Sequence, residues 1–258
     1  GATRDQASLV IKKISHKISP GDSTSQIYRE AFSILKKLET SLAARYSLRR
    51  SLAGLGPSGF PFEIFISKLF QSMGFTTKVG LHLHGKCIEH EIDLIAWDKT
   101  SFIMGEVKFH NNSDLKNDSK TIMYVHSRYE DLKRSRFDKL QSSELTPQGW
   151  LITNTKFTET TIAYANCYNL KLLGWNYPYD NYNLQNIIES KGLEPVTILT
   201  QLNSDQKKLL LDKKVVMCND LNNNPKILGE IGLSKKQITK VMTELDQICN
   251  CSPHRQQV

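Results

Sequence analysis

Cysteine is scarce in this sequence, and long apolar runs are missing. The 258 residues include 5 cysteines, an odd number without the spacing of a disulfide framework, which predicts a reducing, cytoplasmic environment. No stretch is apolar over the roughly 20 residues that a membrane-spanning helix requires. The first residues also lack the apolar core of a signal peptide. These absences argue against a disulfide-rich secreted protein and predict that a membrane is not among the partners.

Acidic residues are also fewer than basic ones. The chain has 34 lysines and arginines against 26 aspartates and glutamates, which gives a formal net charge of +8. This excess predicts an anionic partner, with DNA as the first candidate, although many basic proteins have no such partner. Hydrophobic residues make up 39% of the chain, which is enough for one large core or for two domains.

The most informative stretch, residues 90–108, reads HEIDLIAWDKTSFIMGEVK. Strand-forming residues on both sides of the turn sequence at residues 98–101 predict a β-hairpin. Glu106 and Lys108 are two residues apart and therefore share one face of the second strand. Asp93, on the first strand, can meet Glu106 across the hairpin. Two carboxylates at one sheet edge are unfavourable unless a cation lies between them, and Mg²⁺ or Mn²⁺ suits their oxygen ligands best.

The hairpin resembles a nuclease signature. Asp93 followed by Glu106-Val107-Lys108 is similar to the PD-(D/E)xK motif, and His90-Glu91-Ile92-Asp93 resembles the Mrr-like restriction endonucleases, which include type IV enzymes. A surface hairpin with a salt bridge is the competing interpretation of the bare motif. The resemblance implies an α/β fold with a restriction-endonuclease-like core. In that core, helices flank a central mixed sheet, and further helical segments lie on the N-terminal and C-terminal sides.

The resemblance also implies roles for the motif residues. Asp93 and Glu106 would be catalytic and would hold one or two Mg²⁺ or Mn²⁺ ions, and the backbone carbonyl of Val107 would be a further ligand. Lys108 would orient or help deprotonate the attacking water and stabilise the transition state. These roles imply metal-dependent hydrolysis of a phosphodiester bond.

A fourth catalytic residue is expected on the helix that precedes the sheet. Apolar residues recur at helical spacing from Phe62 to Met73 and predict an amphipathic helix. The Gly59-to-Glu63 segment resembles the G-x-x-F-E of Mrr-like nucleases and archaeal Holliday-junction resolvases. By this resemblance Glu63 would approach the metal site and serve a second metal or the water. Its alternative role is a favourable interaction with the helix dipole.

Several basic residues and one histidine are candidates for contacts with DNA, although a solvated surface explains each one equally well. The DNA-binding candidates are His90, Lys116, Arg128, Lys235, Lys236 and Lys240. The last three follow a segment that loosely resembles a helix-hairpin-helix element. His90 also ends the spacing His82-x-His84-x-x-Cys87-x-x-His90, which suggests zinc. The favoured interpretation is solvent-facing strand histidines and a small buried Cys87.

The N-terminal part resembles a second family. Thr24-Ser25-Gln26-Ile27-Tyr28 and the later Ala43-to-Arg49 segment resemble the C-terminal helical part of an ATP-cone domain, a module that binds adenine nucleotides. The strand-and-glycine portion that helps such a domain hold its nucleotide is not visible in the sequence, so ATP is left open as a cofactor. Helical spacing predicts one helix carrying apolar residues from Ile27 to Leu42, and another from Tyr124 to Leu140.

These observations, together with the two resemblances, imply three segments and one main function. Residues 1–54 form the helical segment that resembles an ATP-cone, residues 55–194 the PD-(D/E)xK nuclease domain, and residues 195–258 a helical tail for DNA binding or dimerisation. The predicted function is a Mg²⁺-dependent, Mrr-like DNA endonuclease that acts against foreign DNA. A homodimer is also expected, since cutting both strands requires two sites. The alternatives are a catalytically silent DNA-binding protein and a nucleotide-responsive regulator with the same fold.

Overall fold

A computed structural model describes residues 3–133 and 145–249 of the chain. The helices are α1 (Arg4–Ser15), α2 (Thr24–Leu38), α3 (Thr40–Ala53), α4 (Phe60–Ser72), α5 (Ser119–Leu132), α6 (Glu159–Cys167), α7 (Leu184–Lys191), α8 (Ser204–Asp212), α9 (Cys218–Asn223), α10 (Ile227–Glu230) and α11 (Lys235–Cys249), with a 3₁₀ helix at Val196–Ile198. The strands are β1 (Thr76–His84), β2 (Glu89–Trp97), β3 (Phe102–Lys108), β4 (Lys116–Asn117), β5 (Gln148–Thr153), β6 (Lys156–Phe157) and β7 (Lys171–Leu173).

The chain divides into two units. One unit is Leu52–Leu193, and the other combines Gly1–Ser51 with Glu194–Val258. The first, called the sheet unit below, has nearly the bounds predicted for the nuclease domain, residues 55–194. The N-terminal and C-terminal segments, which were predicted as separate pieces, cluster together in what is called the terminal unit below.

The sheet unit is built on a five-stranded mixed sheet. The strand order is β1-β2-β3-β5-β7, with antiparallel pairs from β1 to β3 and parallel pairs from β3 to β7. Consecutive residues of β5 face opposite sides: Trp150 contacts Phe70 of α4, and Leu151 packs in a cluster with Ile122 of α5. Helices therefore cover both faces, and the predicted α/β fold with a central mixed sheet flanked by helices is confirmed.

The predicted hairpin is present as β2 and β3. Trp97 pairs with Phe102 at its closed end. The carboxylate of Asp98 accepts hydrogen bonds from the backbone N–H groups of Thr100 and Ser101, each at 2.7 Å. This side chain replaces water for two turn amides, which is the physical reason that aspartate favours such turns.

Two predicted helices differ from the observed ones. The helix expected to carry residues from Ile27 to Leu42 ends at Leu38, because Glu39 is extended, with φ −163° and ψ 128°, and Leu42 lies on α3. Apolar spacing continues across this break, so the periodicity alone could not reveal it. The helix expected from Tyr124 begins earlier, at Ser119, where Asp118 caps it, and its predicted continuation over residues 134–140 lies outside the described residues.

The terminal unit has its own small core. Val10, Ile34, Leu35, Leu42 and Ala43 pack together from the first three helices. No helix within the described parts of the chain combines the length and apolar character needed to cross a membrane.

Candidate active site at the end of strand β3

Asp93 lies where strands β2 and β3 meet near the open end of the hairpin. The antiparallel register brings it beside Glu106, and its Oδ2 atom accepts a hydrogen bond from the backbone N–H of Val107 at 2.8 Å. Burial raises the pKa of Asp93, whereas this hydrogen bond and the positive charges of Arg128 and Lys108 lower it. The predicted meeting of the two strands therefore places the Asp93 carboxylate against the backbone of the Glu106-Val107-Lys108 motif.

Glu106 is partly buried and is paired with an arginine. Nη1 of Arg128 donates a short hydrogen bond to its Oε2 atom, and the two side chains are only 12% and 16% exposed. Burial and the charge of Asp93 raise the pKa of Glu106 to about 7, against the opposing charges of Arg128 and Lys108. The guanidinium also lies 5.2 Å from the ring centre of Tyr124, so Arg128 is held between a carboxylate and an aromatic ring.

Glu63, in the first turn of α4, belongs to the same electrostatic group. Burial raises its pKa to about 7, and the charges of Asp93, Glu91 and Glu106 add to the rise. Glu91 was not among the predicted site residues. Its position two residues before Asp93 on one strand was the available signal, since such residues face the same side of a regular strand.

Lys108 ends strand β3 and is exposed. Its charge lowers the pKa of both Asp93 and Glu106, so its ammonium group lies within electrostatic range of both carboxylates. Four carboxylates and one lysine thus come together from helix α4 and strands β2 and β3. The group is named the carboxylate cluster below and consists of Glu63, Glu91, Asp93, Glu106 and Lys108.

Protein groups occupy two of the oxygen atoms that a metal ion would need. Val107 donates to Asp93, and Arg128 is paired with Glu106. Among residues 3–133 and 145–249, no three His, Cys, Asp or Glu side chains have an arrangement that could hold a metal ion. The donor chemistry nevertheless suits a hard divalent cation, because burial and then the charges of neighbouring carboxylates raise the pKa of Glu63 and Glu106, and a cation would offset both effects.

The predicted DNA-binding residues are in different surroundings. His90 is bonded to Asp131 of α5, with 2.8 Å between Nε2 and Oδ2, and Arg128 is engaged with Glu106. Lys116 is exposed on β4, which pairs with β6. Lys235, Lys236 and Lys240 are exposed on α11 of the terminal unit.

The zinc interpretation of the histidine spacing is wrong. His82 and His84 are both directed at Glu89, at 3.1 and 3.5 Å, whereas His90 bonds to Asp131. The histidines are therefore divided between two carboxylates, and these residues form no metal-holding group in the described chain. His82 and His84 are exposed strand histidines, as the favoured interpretation expected. Its expectation that Cys87 is buried is wrong, since Cys87 is exposed.

Comparison with known proteins identifies the family. An "Uncharacterized protein" of Archaeoglobus fulgidus is 34% identical over 184 residues, which cover 71% of this chain and 99% of that protein. The solved structure "Crystal Structure of Protein of Unknown Function AF1548" is 32% identical and has a TM-score of 0.61, with 75% of this chain and 99% of that chain covered. The model "AF1548-like, C-terminal" matches residues 195–249. The chain belongs to the AF1548-like family. The names of these AF1548-like relatives state no activity, substrate or ligand.

Proposed function

We propose that this AF1548-like protein is a metal-dependent DNA endonuclease that hydrolyses phosphodiester bonds. The observation that carries the proposal is the electrostatic convergence of Glu63, Asp93 and Glu106 beside Lys108. Burial and mutual repulsion raise the pKa of Glu63 and Glu106 to about 7. A folded protein gains no stability from such an arrangement, whereas a divalent cation would make it favourable. Perturbed carboxylates grouped at one place are typical of functional sites.

The residues present suit Mg²⁺ or Mn²⁺. Asp93, Glu106 and the carbonyl of Val107 would hold the ion, and Glu63 would serve a second ion or the attacking water. All of these donors are oxygen atoms, which hard divalent cations prefer. When bound, the metal supplies a lowered pKa of bound water and partial neutralisation of the phosphate.

The side chains of the cluster would then perform the remaining steps. Asp93 is oriented by the hydrogen bond from the Val107 N–H at 2.8 Å. This bond fixes one carboxylate oxygen and leaves the other available to bind the metal ion. Lys108 would orient the attacking water by donating a hydrogen bond as an ammonium, or would accept the water's proton as a neutral amine. In the ammonium form that either route gives, it would stabilise negative charge as the new P–O bond forms. The Glu63 carboxylate would accept a hydrogen bond from the same water.

Arg128 has a double role in this proposal. In the structure its guanidinium neutralises Glu106. Release of Glu106 to a metal would free Arg128, and a guanidinium beside a scissile phosphate can bind that phosphate. The predicted contact of Arg128 with DNA would then depend on the metal. The basic residues His90, Lys116, Lys235, Lys236 and Lys240 stay candidates for backbone contacts.

The proposed biological role is that of an Mrr-like restriction enzyme acting on foreign DNA in the cytoplasm, as a homodimer when it cuts both strands. A catalytically silent DNA-binding protein of the same fold is the second candidate. The Arg128–Glu106 ion pair favours it, because a fixed positive charge already compensates one carboxylate without any metal.

The test is plasmid cleavage by the purified chain. Methylated and unmethylated plasmids are incubated with Mg²⁺ or Mn²⁺, with an EDTA control. Asp93→Ala is compared with Asp212→Ala, which removes an exposed carboxylate from α8 of the terminal unit. Cleavage that requires metal, disappears in Asp93→Ala and persists in Asp212→Ala is the expected result. Binding without cleavage on every plasmid would support the silent DNA-binding protein instead.

A further inference from the structure

Beyond the carboxylate cluster, several buried polar side chains lie together where strands β3 and β5 end side by side. The last register pair of these parallel strands is Lys108 with Thr153. Asn117, Thr153, Asn154 and Thr155 are at most 2% exposed. Buried polar side chains are unfavourable unless they are hydrogen-bonded, so their bonds indicate what this group holds in place.

Thr153 is hydrogen-bonded to the backbone of β3, the strand that ends at Lys108. Its Oγ1 donates to the carbonyl oxygen of Lys108 at 2.7 Å. The hydroxyl has one proton, so its remaining contacts must be accepted ones. Asn117 supplies one, since its Nδ2 donates to Thr153 Oγ1 at 3.0 Å and also to Thr155 Oγ1 at 3.2 Å. The direction of each of these bonds is thereby defined.

Asn154 holds the backbone two residues further along. Its Oδ1 accepts from the N–H of His110 at 2.9 Å, and its Nδ2 donates to the carbonyl of the same residue at 2.7 Å. One side chain thus imitates a paired strand. The Nε2 atom of His110 lies 3.1 Å from the Oδ1 atom of Asn117. Because that oxygen can only accept, Nε2 carries the proton.

We propose that Asn117, Thr153 and Asn154, here named the strand-end bracket, are positioning residues for Lys108. They hold the backbone at residues 108 and 110, on both sides of Phe109, and so define where the lysine side chain begins. The inference rests on the proposed nuclease function, in which Lys108 must meet the attacking water. Small displacements of a catalytic group reduce rates strongly, by about 100-fold for 1 Å.

The test compares two buried threonines in the purified full-length chain. Thr153→Val removes the hydroxyl that bonds to Lys108 and keeps the β-branched shape. Thr197→Val makes the same change at a buried threonine of the terminal unit, whose hydroxyl likewise donates to a backbone carbonyl, that of Ser51. Thr153→Ser keeps the hydroxyl and serves as the conservative rescue. Cleavage rates, KM for DNA and melting temperatures are measured for all three.

We expect Thr153→Val to lower kcat by about tenfold to 100-fold with KM unchanged. Thr153→Ser and Thr197→Val should retain kcat within about threefold, although Thr197→Val should melt earlier than the wild type. Equal losses of kcat in the two valine variants would overturn the bracket, since they would indicate a general loss of packing. Full activity of a folded Thr153→Val would also overturn it.

Further experiments distinguish a failure of the bracket from a failure of the proposed nuclease function. If Thr153→Val does not fold, Asn154→Ser takes its place, because it frees His110 while leaving the Thr153 bond intact. The same loss of kcat without a change in KM is then expected, and unchanged kcat would refute the bracket. Absence of metal-dependent cleavage by the wild type would overturn both proposals, whereas an active wild type with an insensitive bracket would overturn only this one.

Discussion

Two acidic regions of the sheet unit hold their carboxylates in opposite electrostatic states. In the carboxylate cluster, burial and neighbouring acids raise the pKa of Glu63 and Glu106 to about 7. At the β1–β2 turn, the hydrogen bond from His90 and further bonds from Cys87 and Ile88 hold the pKa of Asp131 down at about 2. The comparison distinguishes an acid that the fold satisfies from acids that it leaves in mutual repulsion.

Hydrogen-bond donors account for the difference. Asp131 accepts from the backbone N–H groups of Cys87 and Ile88 at 2.9 and 3.3 Å, and it lies 2.8 Å from His90. Donors to the ionised form stabilise it. The cluster instead gathers carboxylates around one backbone N–H and one arginine. The carboxylate cluster therefore has more carboxylates than hydrogen-bond donors to balance them. Asp131 instead has a structural role, because it links the β1–β2 turn to helix α5.

The largest effect is expected when the shape of Asp93 is kept and its charge is removed. Asn at this position can still accept from the Val107 N–H, but it cannot supply a negative charge to a metal. Asp93→Asn should reduce the initial rate of plasmid cleavage by about 1000-fold or more, roughly 4 kcal/mol of transition-state stabilisation. Asp131→Asn, in the same gel assay, should cleave at close to the wild-type rate. Similar losses in both variants would remove the distinction between the two regions.

The next effect concerns stability without metal. An acid whose pKa is higher in the folded state, here about 7 against an ordinary 4.5 for Glu63, stabilises the fold below pH 4.5, and this contribution disappears as the pH rises toward 7. Glu63→Gln should therefore flatten the decline between those pH values and stabilise the metal-free protein at pH 7. We expect about 1 kcal/mol, since solvent screens a partly exposed carboxylate.

Urea unfolding in EDTA from pH 4.5 to 7.5 measures this slope. Glu159→Gln, which changes an exposed glutamate in the first turn of α6, is the matched control and should keep the wild-type slope. An unchanged slope in Glu63→Gln would show that burial and the neighbouring carboxylates do not raise the pKa of Glu63.

The smallest effect is expected at Asp131, the carboxylate whose hydrogen bonds stabilise its ionised form. A carboxylate whose folded pKa is depressed stabilises the protein above its ordinary pKa, and the contribution is lost as the pH falls toward the folded value, here from 3.8 to about 2. Asp131→Asn should lower the melting temperature at pH 7 by a few degrees. It should also weaken the dependence of melting temperature on pH below 4. Calorimetry over that range checks both, and an unaltered acid dependence would contradict the assignment of Asp131 as a structural acid.

Local features of the sequence predicted the hairpin that carries Asp93 and Glu106. The hairpin and its turn at Asp98 depend on side chains within a few residues of one another, and both are present. The meeting of Asp93 with the Glu106 strand followed from the hairpin alone. The helix break at Glu39 was missed, because apolar spacing runs through it and the extended residue has no local signature.

The sequence by itself determined the pairing of β2 with β3 and the order of the acidic and basic motif residues along that hairpin, because hairpin register and turn chemistry act over short separations. Only the tertiary structure decided which groups those residues meet. Arg128 pairs with Glu106, His90 with Asp131, and Glu63 with the hairpin acids because helices α4 and α5 pack on the sheet in particular registers. The partners of a buried charge are set by that packing, which brings together residues far apart in the chain.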